Sequence, residues 1–195
     1  MTHAKTNQEA SGGITTQNNA NAKMPPGMFS EGHESITRFL VCGSGFSGTS
    51  VLSAIFHLSG FPSIAWDRHY ESRPLVDLDQ RLLDGEEGFD DEIRAYFDEV
   101  EQTTGGMWCV KDPRLAETIH HVFPLIPWPV KLLFSFRNPR NTTSHHRRVG
   151  MEQSGKTEAQ AVADGEAVWH LRNSSALRFI DEHPDIACLM VDYDD

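Results

Sequence analysis

The sequence is short of cysteine, of positive charge and of any long apolar run, and each shortage excludes something. Its three cysteines, Cys42, Cys109 and Cys188, are an odd number, and each falls in an apolar stretch read as a strand, so reduced, core-packed thiols are expected rather than a disulfide framework. Lys and Arg total 17 against 28 Asp and Glu, a formal charge of -11, which argues against nonspecific binding to nucleic acid or to an anionic membrane. No segment has the apolar length needed to span a bilayer, and the N-terminus lacks the basic flank and apolar core of a secretory signal, so a cytoplasmic protein is expected. The histidines show no helical pair with a third ligand: His120-His121 and His145-His146 are adjacent and diverge on a helix, so no metal site is expected.

Among its 195 residues, the first thirty or so are polar and low in complexity, and Met24-Pro25-Pro26-Gly27 breaks any regular element. Residues 1–33 are therefore read as a disordered leader and 34–195 as one α/β domain. Charge is uneven within that domain. Acidic residues crowd Asp77 to Glu101, whereas Lys131 to Gly150 carries Lys131, Arg137, Arg140, Arg147 and Arg148 without a carboxylate, a local basic site suited to a small anionic ligand.

Phe39-Leu40-Val41-Cys42 runs into Gly43-Ser44-Gly45-Phe46-Ser47-Gly48-Thr49-Ser50 and then into the helical periodicity of Val51, Leu52, Ile55 and Phe56. A strand, a glycine-rich turn and a helix in that order aim unpaired backbone N–H groups and the positive end of a helix dipole at one anion. Gly43 and Gly48 have the spacing of the nucleotide-triphosphate P-loop glycines, but Thr49 stands where that motif requires lysine.

Further along, Pro74–Leu83 and Asp90–Glu101 have amphipathic helical spacing, and Met107–Val110 is a short strand ending at Lys111-Asp112-Pro113-Arg114, where Asp112 is suited to cap a helix and Pro113 to open it. Val130–Phe136 is a buried strand ending at Arg137-Asn138-Pro139-Arg140, followed by a helix over Thr142–Val149. Thr157-Glu158-Ala159-Gln160 is a capping box that opens a long helix, and Ile186–Val191 is a fourth strand. The alternation predicts a three-layer, doubly wound parallel sheet covered on both faces, with three polar, partly cationic turns converging on the carboxyl edge where such sheets bind ligands.

With those turns in order, the chain resembles the sulfotransferases that use 3′-phosphoadenosine 5′-phosphosulfate (PAPS), in particular their bacterial branch, on a P-loop-like fold. The matching pieces are Gly43–Ser50, Lys111-Asp112-Pro113-Arg114-Leu115 and Arg137-Asn138-Pro139-Arg140, with softer support from Glu71-Ser72-Arg73-Pro74-Leu75, Trp169 and Val191-Asp192-Tyr193-Asp194-Asp195. The resemblance implies transfer of a sulfuryl group from PAPS, without a metal, to a hydroxyl or amine of a small molecule or glycan. It implies a 5′-phosphosulfate loop made by Gly43, Gly45, Ser47, Gly48, Thr49 and Ser50, and a 3′-phosphate site made by Arg137 and Ser144. Lys111 would stabilise charge on the transferred group, Glu71 would take the acceptor proton, and His69 is the reserve base. Glu71 has a second reading, as an acid complementing the dipole of the helix that Pro74 opens.

The chain departs from that pattern at Phe46, where relatives carry arginine or lysine, and at Ser144, which falls one position earlier than the usual serine, with His145 in its stead. Relatives also continue past the position of Asp195, so the domain is expected to be incomplete at its C-terminus. Two other functions stay open: a catalytically weak nucleotide-binding protein, suggested by Phe46, and a P-loop nucleotide kinase, opposed by Thr49, for which Asp112 would be the magnesium ligand.

Overall fold

A computed structural model describes residues 37–62, 64 and 69–194. The N-terminal leader of residues 1–33 lies outside them. Four strands, β1 (Arg38–Gly43), β2 (Trp108–Lys111), β3 (Lys131–Phe136) and β4 (Cys188–Asp192), form one parallel sheet in the order β2-β1-β3-β4. The connections are helical: α1 (Thr49–Leu58), α2 (Arg73–Leu83) and α3 (Asp90–Thr104) join β1 to β2. A single helix, α4 (Leu115–Val122), with a short 3₁₀ turn joins β2 to β3, and α5 (Pro139–Ser154) and α6 (Glu158–Glu182) join β3 to β4. The parallel α/β architecture expected from the alternating pattern, P-loop-like as the resemblance implies, is the one observed.

Strand alternation sorts side chains between two helical layers. Leu40 and Cys42 of β1, Trp108 and Val110 of β2, and Leu132 and Phe134 of β3 join one buried cluster with Leu75, Phe97, Ile119 and Phe179 from α2, α3, α4 and α6. The intervening Phe39 faces the other way, its ring 4.6 Å from that of Phe56 on α1. Local signals fix the helix ends. Thr157 and Gln160 form a complete capping box on α6, Asn138 accepts from the Arg140 N–H at the start of α5, and Gly105 ends α3 in the left-handed conformation at φ 64°.

Two expectations need correction. α4 begins at Leu115 rather than at Pro113: the Asp112 carboxylate accepts from the Arg114 N–H at 2.8 Å, an Asx-type turn that sets Pro113 and Arg114 outside the helix. The sheet is also not covered on both faces throughout, because β4 is an edge strand on which Leu189 and Met190 are exposed among the described residues. The thiols behave as expected: all three are unbridged, burial pushes Cys109 up to about 12, and Cys42 and Cys188 shift the same way.

At the base of β2, the fully buried Trp108 donates its indole N–H to Glu101 at 2.9 Å, and Glu101 is paired with Arg38 of the neighbouring strand. Hydrogen bonds from Arg38 first, and from Trp108, hold the Glu101 carboxyl below its ordinary value of 4.5. A depressed folded-state value means that the carboxylate contributes stability above pH 4.5 and loses it as pH falls through the folded value. Glu101→Gln is therefore expected to cost about 1–3 kcal/mol at pH 7 and to flatten the acid limb of a stability-against-pH curve measured by denaturant unfolding. An unchanged acid limb would show that the trio contributes nothing specific to the ionised form.

Candidate active site

β1 and β3 are neighbours whose connections leave in opposite directions, so a crevice opens between their carboxyl ends. The glycine-rich turn fills its rim. Its tightness is steric: a Cβ on Gly43 would lie 2.1 Å from the Ser135 carbonyl oxygen and 2.7 Å from Ser47 Oγ, so no larger residue fits between β1 and β3 there. The Ser135 hydroxyl donates to the Ser47 carbonyl and ties the turn to β3. Gly48 adopts φ 91°, after which α1 starts at Thr49. The Ser47 N–H is already committed to the Ser44 carbonyl at 3.2 Å and the Val51 N–H to the Gly48 carbonyl at 2.9 Å, so the anion-facing donors at the start of α1 are those of Thr49 and Ser50.

Phe46 takes a left-handed backbone, φ 63°, uncommon for a bulky residue. Its ring lies 4.4 Å from that of His145, and its carbonyl accepts from Arg137 at 3.4 Å. Phe46, the departure from the resembled pattern, packs on an imidazole. Burial first, then the charges of Arg148 and Arg137, push that imidazole below its ordinary value of 6.5.

Lys111 closes β2, and its ammonium is buried beneath the turn. All three of its donors are used: to Glu71 Oε1 at 2.5 Å, to the His69 carbonyl at 3.1 Å and to Ser50 Oγ at 3.3 Å, while the Ser50 hydroxyl donates to the same His69 carbonyl at 3.1 Å. Tyr70, at φ 58°, is the second non-glycine residue in the left-handed region and lies between the two residues that Lys111 grips. Glu71 thus belongs to Lys111 and not to the helix dipole: the first turn of α2 contains no acid. His69 reaches the cluster through its main-chain oxygen.

Beyond Lys111, the fully buried Asp112 binds Arg114, with Nη1 at 3.1 and 3.3 Å from its two oxygens. Behind it, the equally buried Asp79 accepts from the Thr118 hydroxyl at 2.6 Å through Oδ1, whereas Oδ2 has no hydrogen-bond partner among the described residues. Burial pushes both carboxyls upward. At Asp79 the Asp112 charge adds to that rise, and at Asp112 the Arg114 guanidinium opposes it.

Arg137, just past β3, is held by the end of the chain. Its Nε donates to Asp194 Oδ1 at 2.9 Å, and the same carboxylate accepts from the Asn138 N–H at 2.8 Å and from Asn141 Nδ2 at 2.9 Å. Those bonds, that from Arg137 first, hold the Asp194 carboxyl below its ordinary value of 3.8. Tyr193 fits against Gly48 so closely that a Cβ there would lie 2.1 Å from its ring, and the Arg137 guanidinium lies 5.1 Å from the centre of that ring. Trp169 of α6 donates to the Arg137 carbonyl at 2.9 Å.

Gly45, Gly48, Thr49, Ser50, His69, Glu71 and Lys111 therefore share one cavity of about 310 Å³, with Phe46, Pro113, Arg114 and Arg172 completing its wall. Arg137 lies beside it, tied to the turn through the Phe46 carbonyl. Ser144 is not brought in: its hydroxyl donates to the Asn141 carbonyl at 2.9 Å, and it lines a separate depression with His145, Arg147 and Arg148. Sequence reasoning assigned no role to Arg114 or Arg172 and foresaw no partner for Arg137. The one available signal was that Arg172 falls one helical turn after Trp169, on the same side of α6.

No protein-family model matches the chain, and no curated protein matches its sequence. Among solved structures, the sulfotransferase domain from the curacin biosynthetic pathway aligns with 81% of this chain and 67% of its own length, with a TM-score of 0.57 and 18% identity. At that identity the likeness shows a shared fold: the chain has the α/β fold of a sulfotransferase domain. Among the described residues no helix is long and apolar enough to cross a membrane.

Proposed function

We propose that this protein is a sulfotransferase that moves the sulfuryl group of PAPS to a hydroxyl or amine of a small molecule or glycan. The observation that carries the reading is the Lys111 ammonium, buried under the glycine-rich turn and held against Ser50 and Glu71. The residues present fit a phosphosulfate: the α1 N-terminus offers backbone donors and dipole to the 5′-phosphate, and the lysine missing at Thr49 is dispensable for a donor that carries no γ-phosphate. Arg137 is a forked cation of the kind that binds a phosphate by two charge-assisted bonds.

The chemistry asked of these residues is positioning and charge stabilisation. The acceptor oxygen or nitrogen bonds to sulfur, the bond from sulfur to the bridging oxygen breaks, and the electron pair leaves with 3′-phosphoadenosine 5′-phosphate (PAP). The acceptor proton goes to Glu71, whose hydrogen bond to Lys111 couples the base to the cation that faces the transferred group. Incubation with sulfur-labelled PAPS and an acceptor panel should yield labelled product, and absence of both donor binding and product would sink the proposal.

A second reading, a nucleotide-binding protein of low turnover, is favoured by the Phe46 ring packed on His145 and by the Asp194 carboxylate on Arg137. PAP binding measured by calorimetry without transfer would support it. Phe46→Arg is then expected to raise transfer, since it adds a cation at the turn, and no gain in a chain that still binds PAP would show that Phe46 is not the limitation.

A further inference from the structure

Two guanidinium groups in the cavity wall take no part in the transfer outlined above. Arg114 precedes α4 and Arg172 lies within α6, and both line the cavity with Lys111. Each is fixed from behind, Arg114 by Asp112 and Arg172 by Glu117, to which its Nε donates at 2.6 Å. The Glu117 N–H in turn bonds to the Arg114 carbonyl at 2.8 Å, so the second guanidinium is anchored one helical turn from the first. Asp112 and Glu117 are not part of the cavity lining. The charged side chains that do line it, apart from His69, are three cations and one acid, and that acid, Glu71, is paired with Lys111. An arginine has five N–H donors. The bonds above use Nη1 of Arg114 and Nε of Arg172, so each fork keeps donors for a ligand.

Their side of the sheet indicates which ligand. β1, bearing the glycine-rich turn, lies between β3, bearing Arg137, and β2, bearing Lys111 and leading to Arg114. A donor gripped by the turn and by Arg137 extends over β3, and in-line displacement brings the attacking group from the opposite side of the sulfur, over β2. We infer that the acceptor is itself an anion, a hydroxy or amino compound bearing a carboxylate or a group of similar charge, which docks on Arg114 and Arg172 while its nucleophile faces Lys111 and Glu71. This rests on the sulfotransferase reading. The donor's own sulfonate is the other anion the same guanidinium groups would attract, and the experiment separates the two.

The full chain, saturated with PAP, which has no sulfonate, is titrated calorimetrically with 4-hydroxybenzoate and with its methyl ester. The acid should bind at least about 10-fold tighter than the ester, as a charge-assisted fork predicts. Arg172→Gln should remove most of that preference while leaving PAP affinity within about 2-fold. Should Arg172→Gln fold poorly because Glu117 is stranded, Arg172→Gln combined with Glu117→Gln restores a neutral pair and carries the same expectation. Equal binding of acid and ester, or a preference that survives in both Arg114→Gln and Arg172→Gln, overturns the proposal. So does an unchanged preference accompanied by weaker PAPS binding relative to PAP, which would assign the guanidinium groups to the sulfonate. Failure of PAP to bind is a different result: it removes the sulfotransferase reading, and the acid and ester titration of the unliganded chain then decides the anion site by itself.

Discussion

Replacing Lys111 by methionine should lower sulfuryl transfer by about 10²- to 10³-fold, because the buried positive charge beside the transferred group and the partner that aims Glu71 are lost together, while PAP still binds through the turn and Arg137. Methionine keeps the apolar stem that reaches through the buried end of β2 and deletes only the ammonium. The ammonium's three bonds, to Glu71, the His69 carbonyl and Ser50, vanish together, so Glu71 loses the partner that aims it. Some stability should be lost as well, about 1–3 kcal/mol for stranding a partly buried charged acceptor. The double variant Lys111→Met with Glu71→Gln separates the effects: removing the stranded charge should recover most of the stability and none of the activity. Steady-state transfer assays beside denaturant unfolding read both quantities. A single variant with full turnover would remove Lys111 from the chemistry.

Gly43→Ala should be among the most destabilising single substitutions in the chain, at about 4 kcal/mol or more. One methyl group is enough because it would meet backbone on the adjacent strand: the Ser135 carbonyl at 2.1 Å cannot swing aside as a side chain would, and Ser47 Oγ waits at 2.7 Å. Gly43 pairs with Ser135 across β1 and β3, and the Ser135 hydroxyl anchors the turn, so separating the strands also loosens the anion-facing donors. The variant should unfold at much lower denaturant, and hydrogen exchange should localise the loss to the carboxyl ends of β1 and β3. A shift below about 1 kcal/mol would mean that the two strands can part at this point without cost.

The difference between these residues and their surroundings shows what a linear pattern can carry. Gly43, Lys111 and Arg137 each end an apolar run, and a parallel sheet brings the ends of such runs to one edge, so their meeting was legible in advance. The capping box at Thr157 was legible because it acts within a single helical turn, whereas α5 starts at Pro139, three residues before the helix expected from Thr142. The start of α4 is two residues later than expected because the Asp112 carboxylate bonds the Arg114 N–H in a tight turn before the helix begins.

Other contacts leave no trace in local pattern. Asp194 on Arg137, Glu117 on Arg172 and Tyr193 over Gly48 join residues far apart in sequence, whose types would be equally at home as solvated surface groups. Glu71 had two plausible readings until its carboxylate was found on Lys111.

By itself, then, the sequence determined the alternation of strands and helices, the parallel sheet and the edge on which ligand-binding turns gather, because hydrophobic period, glycine geometry and capping are short-range constraints. Only the tertiary structure decided which charge faces which: that Lys111 holds Glu71, that the end of the chain holds Arg137, and that Arg114 and Arg172 line a single cavity. Those pairings depend on distances of a few ångströms between separate elements, and electrostatic interaction inside a protein is strong enough at that range, and weak enough beyond it, for placement alone to assign the partner.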